Sequence, residues 1–103
     1  METFIQNNVQ DQILEEDADL LKVIAHPVRL KIIKELCLHK RVNVSRLTEK
    51  LNIPQSTLSQ HLGKMKGKVL RSDRKGLEVY YYVSNLKVTK MVEILGYINI
   101  AKS

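Results

Sequence analysis

The chain is poor in the residues that cross-link, bend or break a fold. It has 103 residues but one cysteine, two prolines, four glycines, one phenylalanine and no tryptophan. Cys37 alone cannot close an internal disulfide, which fits a reducing compartment. With so little Gly and Pro there is no linker to separate two domains, and no repeat or low-complexity segment is visible. One domain spanning 1–103 is expected. No apolar run approaches the ~18 residues of a membrane span, and the opening METFIQNNVQDQ lacks the basic-then-apolar pattern of a secretory signal. A cytoplasmic protein with no membrane partner is therefore expected. Signs of catalysis are absent too: there is no Gly-rich phosphate loop, no suggestive Ser/His/Asp spacing and no carboxylate pair in a cleft. Neither an enzyme nor a small-molecule substrate is expected.

Acidic charge is scarce where basic charge is dense. The net charge is +6. Residues 1–21 hold six acids (Glu2, Asp11, Glu15, Glu16, Asp17, Asp19) and no Lys or Arg. The rest holds all 17 bases against five acids, so that part carries +12. A basic balance also serves solubility, but this asymmetry points to a polyanionic partner for the body of the protein. A chain this short buries only roughly 60–65% of its unfolded surface, so its core is marginal alone and a dimer is expected.

Residues 1–12 read as a flexible arm. A first helix is expected over about 10–25, with Ile13, Leu14, Ala18, Leu21 and Ala25 at helical spacing. His26 precedes Pro27, which disfavours helix at His26 and suits the first turn of a second helix to about residue 39. Its stripe is Leu30, Ile33, Leu36 and Cys37. Asn43 is a good N-cap for a short helix over 44–51 with Val44, Leu47 and Leu51 inward. Asn52 can close it in a left-handed conformation. Pro54 then leads into a helix over 55–66, ended by Gly67. From Val69 the pattern alternates and is rich in Val and Tyr, with RKG between two extended runs. That predicts a β-hairpin over 69–83 with a basic tip of Arg71, Arg74 and Lys75. Leu77, Val79, Tyr81 and Val83 share one face of its second strand. A last helix covers 86–100. The fold is mainly α with a small β-hairpin, in the order α-α-α-α-β-β-α. The segment 44–67 is a helix-turn-helix and the hairpin behind it is the wing.

The polar helix is the most informative stretch. With residues about 100° apart, Leu58, Leu62 and Met65 fall on one narrow side. Ser56, Gln60, Gly63 and Lys64 fall opposite, flanked by Thr57 and Ser59. No carboxylate occurs from Gln55 to Lys68. A solvated helix usually mixes Glu with Lys, and Ser and Thr are mediocre helix formers. A helix lying in the DNA major groove explains the pattern better: amides pair with adenine and hydroxyls reach base edges or phosphates. Gln55 and Ser56 would offer free N–H groups to phosphate at the helix N-terminus. Lys64, Lys66 and Lys68 would add phosphate contacts that position the protein. His61 lies beside the apolar stripe, where it either touches DNA or sits half-buried.

LLKVIAHPVRLKIIKEL resembles the opening helices of the ArsR/SmtB family of bacterial winged-helix repressors. LNIPQSTLSQHLGKM is similar to that family's recognition segment, and RKGLEVYYYV to its wing. The likeness runs from about Leu20 to Val83 and is nearest to a subgroup of virulence-gene regulators. It implies a homodimer whose first and last helices pair, and two recognition helices on an inverted repeat. The last helix supports this from its own residues, since Val88, Met91, Val92, Leu95 and Ile98 give it more apolar surface than one small core can cover. With Ile13, Leu14 and Leu21 they make the expected interface. Two-fold symmetry would space the recognition helices roughly 34 Å apart.

Two departures from the family stand out. Its metal-sensing motif is Glu-Leu-Cys-x-Cys, whereas this chain has Glu35-Leu36-Cys37-Leu38-His39 followed by Lys40 and Arg41. Positions i and i+2 on a helix point about 200° apart, so Cys37 and His39 chelate poorly together. A second family site uses Asp and His on the last helix, where this chain offers only Glu93. The expectation is a repressor with no metal and no cofactor. The alternatives are a metal or redox sensor using Cys37, its thiol acidified by Lys40 and Arg41, and a module that binds another regulator through its acidic N-terminal region. The interval from Met65 to Gly76 is also one residue shorter than the family's usual spacing, which bears on the position of the wing.

Overall fold

The computed structural model describes residues 13–99. The elements are α1 (Glu15–Ile24), α2 (Pro27–His39), β1 (Val42–Asn43), α3 (Val44–Leu51), α4 (Gln55–Met65), β2 (Leu70–Lys75), β3 (Glu78–Val83) and α5 (Leu86–Ile94). The expected order of helices and hairpin holds, with one strand added. The flexible arm expected over 1–12 lies outside the described residues.

Local chemistry sets most boundaries. His26 is extended (φ −155°, ψ 131°) and its ring accepts a hydrogen bond from the Val28 N–H, while Pro27 occupies the first turn of α2. Asn43 caps α3 by accepting from the Arg46 N–H at 2.7 Å. Asn52 closes α3 in the left-handed region (φ 55°, ψ 47°). These are the positions where an Asx oxygen or a proline costs the backbone least.

Three boundaries differ from expectation. First, α1 begins at Glu15, so Ile13 and Leu14 precede it. Its buried residues are Leu20 and Ile24, one turn apart, while Leu21 is exposed. The stripe read from the sequence is thus the outer face of α1. Second, Val42 and Asn43 form a strand opposite Tyr81 and Tyr80, giving an antiparallel sheet in the order β1-β3-β2. Two residues cannot display an alternating pattern, so only the tertiary pairing reveals them. Third, α5 stops at Ile94. Gly96 takes φ 87°, its N–H bonds Glu93 O at 2.9 Å and the Tyr97 N–H bonds Val92 O at 3.0 Å. That pair of bonds is the Schellman ending a positive-φ glycine permits, and it cuts short the helix expected to reach residue 100.

The hairpin also starts and turns differently. Val69 is buried in the turn leaving α4, and β2 starts at Leu70. Lys75 faces Glu78, so Gly76 and Leu77 form the two-residue loop. Gly76 supplies the positive φ (63°) such a loop requires at its first position. Leu77 is therefore almost fully exposed at the tip and not on the inward face. Tyr81 and Val83 do pack against the core, as a period of two demands.

The core joins every helix to the sheet through Leu20, Ile32, Ile33, Leu36, Leu47, Leu58, Leu62, Met65, Val69, Leu70, Val88 and Val92. Val88 and Val92 have no exposed surface in the single chain. They hold α5 to its own core, so they do not belong to the dimer interface expected of them. Met91 and Ile98 are half-buried against the same core. Ile13, Leu14, Leu21 and Leu95 are exposed.

Replacing Asn43 with Ala should cost about 1 kcal/mol, the usual worth of an N-cap. Urea denaturation of the two proteins checks this.

Candidate nucleic-acid interface

The turn from α3 to α4 is three residues long, so the two helices are held as a unit. Pro54 stands at the N-cap of α4 with φ −56° and ψ 142°, and no described side chain caps that end. Leu58 N–H closes the first turn on Pro54 O at 2.9 Å. Proline has no side-chain oxygen to offer, so the first N–H groups of α4 face outward without a side-chain partner.

Leu58, Leu62 and Met65 are essentially inaccessible. Their burial turns the rest of α4 outward: Gln55, Ser56, Thr57, Ser59, Gln60, Gly63, Lys64 and, just past the helix end, Lys66 are all exposed. A Cβ built on Gly63 would meet nothing within 4 Å. Glycine in a helix interior costs roughly 1 kcal/mol relative to alanine, so the free protein has no packing reason for it.

His61 is not on that outer face. It is half-buried, and its Nδ1 accepts a hydrogen bond from Arg29 Nε at 3.2 Å. Its ring lies 4.5 Å from that of His26. Burial pushes the His61 pKa down, helped by the charges of His26 and Arg29. Of the two positions open to His61 in the sequence, the structure takes the half-buried one.

The basic residues expected at the wing tip divide. Arg74 and Lys75 do stand at the end of β2, where Arg74 Nη1 reaches Gly76 O at 3.5 Å. Arg71 faces Tyr82 near the other end of the hairpin, so it is exposed at the base of the wing. A strand separates such positions by about 3.3 Å per residue, which takes Arg71 out of the tip cluster. Asp73, an acid in a basic hairpin, pairs with Arg41 between α2 and β1. The Arg41 guanidinium also sits 4.3 Å from the centre of the Tyr82 ring. The Asp73 hydrogen bond raises the Arg41 pKa further. The carboxylate is thus engaged at the foot of the wing. Sequence reasoning missed both Arg29 and Arg41, because each acts on a partner 32 positions away.

Cys37 and His39 are not brought together. The Cys37 thiol donates to Thr89 Oγ1 at 4.0 Å, while His39 pairs with Glu35 at 3.5 Å. Burial raises the Cys37 pKa, only partly offset by Thr89, which opposes the acidified thiol that the redox-sensor alternative needs. Among the described residues no group of three His, Cys, Asp or Glu side chains could hold a metal ion. Nor is any described helix long and apolar enough to cross a membrane.

This geometry has known counterparts. The family of bacterial regulatory proteins called arsR matches residues 26–68, which span α2, the helix-turn-helix and the turn after it. The chain is 49% identical over 96 residues to the transcriptional repressor PagR of Bacillus anthracis, covering 93% of this chain and 97% of that protein. The crystal structure of PagR superposes with a TM-score of 0.76 at 54% identity, over 79% of this chain and 93% of that one. The transcriptional repressor BigR of Xylella fastidiosa superposes with a TM-score of 0.78 at 28% identity, over 88% and 93%. Sharing sequence with PagR over nearly its whole length, and the winged-helix architecture with both structures, the chain belongs to the arsR family of bacterial regulatory proteins, a family of DNA-binding transcriptional repressors and not of enzymes.

Proposed function

We propose that the protein is a homodimeric repressor in the cytoplasm that binds an inverted-repeat operator through α4, without a metal ion or other cofactor. One observation carries this reading: α4 buries a single apolar stripe and turns an acid-free face of hydroxyls, amides, glycine and lysine to solvent. In the major groove Gln60 is the side chain suited to bidentate pairing with adenine. Gln55, Ser56 and Thr57 lie at the end of α4 whose free N–H groups suit a phosphate, and Ser59 one turn on can reach a base edge or a phosphate. Lys64 and Lys66 reach backbone phosphates beyond the other end. Arg74 and Lys75 at the wing tip, and Arg71 at its base, follow the backbone or enter the narrower minor groove. Asp73 does not oppose them, because Arg41 neutralises it.

Dimerisation is supported by apolar surface that the single chain leaves uncovered. Leu21 on α1 and Ile94 and Leu95 at the end of α5 are exposed. Lys87 on α5 bonds Asp17 on α1 at 2.8 Å, so the two helices offer their outer residues as one unit. Ile13, Leu14 and Leu21 with Met91, Leu95 and Ile98 are the proposed contacts. Repression then follows from occupying a promoter.

The direct test is titration of DNA from upstream of the protein's own gene against random DNA, repeated with EDTA, zinc and oxidant. A salt-dependent preference for one inverted repeat, with two chains bound per repeat and no response to the additions, is expected. A response to zinc or oxidant would make Cys37 and His39 a sensor. No preference for any sequence would favour a protein-interaction module.

Four substitutions probe the roles. Gln60→Ala should cost ~1–3 kcal/mol on operator DNA and relax discrimination at one base pair; equal losses on random DNA would remove Gln60 as a base reader. Lys64→Ala or Arg74→Ala should weaken all DNA alike and lower the salt slope by about one unit, read from affinities over a range of salt. Gly63→Ala should stabilise the free protein by about 0.5–1 kcal/mol yet weaken DNA binding, because the added methyl meets only the DNA. Denaturation and binding curves of this one variant must therefore move in opposite directions.

A further inference from the structure

Arg29 ties three helices together, and one of its bonds can be broken by a proton. It lies in the first turn of α2. Its Nη1 donates to Val23 O at 2.9 Å, one of the last carbonyls of α1. Such carbonyls have no partner within their own helix, and the negative end of the helix dipole favours a cation there. Its Nε donates to His61 Nδ1 on α4. Arg29 therefore joins the end of α1 and the start of α2 to the middle of the helix that faces DNA.

The donor in this bond cannot change, since arginine stays protonated in proteins. The acceptor can. An imidazole whose Nδ1 accepts is neutral and carries its proton on Nε2. Protonation turns Nδ1 into a donor, so Arg29 Nε–H and His61 Nδ1–H would confront each other with two positive charges. His26 stands beside it: its ring is tilted 53° against that of His61, and its own Nδ1 accepts from the Val28 N–H at 3.0 Å. The charged or titratable groups that bear on His61 are His26, at the N-cap of α2, and Arg29. The ion pairs among the described residues bring no carboxylate to this cluster.

We propose that Arg29 and His61 are positioning residues that hold α4 in its DNA-reading orientation, and that protonation of His61 releases this brace and lowers operator preference. The proposal rests on the DNA-reading function proposed above. The lowered pKa of His61 agrees with the geometry. Its folded state resists the proton, so the brace is complete above the ordinary histidine value of about 6.5 and is lost as pH falls through the lowered one.

The sign separates a brace from direct contact. A protonated His61 touching phosphate would strengthen binding to any DNA on acidification. A brace predicts that the ratio of operator to random affinity falls, whatever the added charge does to both. Between about pH 7.5, above the ordinary histidine value, and a pH below the His61 midpoint read by NMR, that ratio should fall about threefold to tenfold, the worth of one hydrogen bond. His61→Asn keeps an acceptor near the place of Nδ1 and cannot take a proton, so it should flatten the profile. In the protein without DNA, NMR titration should show His61 protonating below the usual range, and Arg29→Gln should move it upward. If the Arg29 variant does not fold, the wild-type Arg29 Nε–H resonance must shift with the same midpoint as the His61 ring.

A fall of the same size in His61→Asn would overturn the brace, as would a ratio that stays constant or rises on acidification. Absence of operator preference at neutral pH would instead defeat the DNA-reading proposal. The brace then stands or falls on the DNA-free titration, where a His61 midpoint indifferent to Arg29, or an Arg29 resonance indifferent to His61, contradicts it.

Discussion

Three side chains decide which way α4 faces. Leu58, Leu62 and Met65 are all driven into the core, and each is worth ~1.5–3 kcal/mol when buried. Turning the helix by one residue would expose that stripe and bury hydroxyls and amides without partners, at a further cost per group. The outer face is therefore fixed by the inner one. A helix with so narrow an apolar edge has most of its circumference free for short polar residues, which is what a groove of DNA admits. The same burial packs α4 against α3 and α2, so the turn at Asn52–Pro54 needs no further support.

The wing depends on a different interaction. A two-stranded hairpin alone is barely stable in water, and here β1 adds a short third strand to one side of β3. Arg41, just before β1, bonds Asp73 on β2 and covers Tyr82 on β3. Exposed ion pairs are individually weak, but this one spans both strands and the end of α2, and it removes from the wing its one acidic side chain on β2. The basic tip and the outer face of α4 then present compatible charge to one polyanion. Lys87 and Asp17 do the corresponding service between α5 and α1.

Much of this was legible in the sequence because it is local. His26-Pro27, Asn43, Asn52 and Pro54 each act within a few residues, through φ restriction or a side-chain cap, and each stands where it was expected. The apolar stripe of α4 is also a short-range signal, and it located the outer face correctly. What escaped was of two kinds. Pairing over long separations left no local trace: Val42–Asn43 with Tyr80–Tyr81, Arg29 with His61, and Arg41 with Asp73 are visible only after folding. Apolar residues within one helix could not be assigned to the core or to a partner from periodicity alone. Val88 and Val92 are expected at an interface and lie in the core, whereas Ile13, Leu14 and Leu21, expected at the same interface, are exposed in the single chain. Gly96 carried the signal for the end of α5, but only its positive φ and the bonds of Gly96 and Tyr97 give that glycine its meaning.

The central claim is that α4 and the wing tip meet DNA while α1 and α5 are turned to another task. Backbone chemical shifts of the protein, followed during titration with DNA from its own upstream region, test this most directly. Perturbation should concentrate on 55–66 and 74–76 and leave Leu20, Leu21, Leu95 and Gly96 nearly unmoved. Perturbation confined to α1 and α5, with α4 silent, would contradict it.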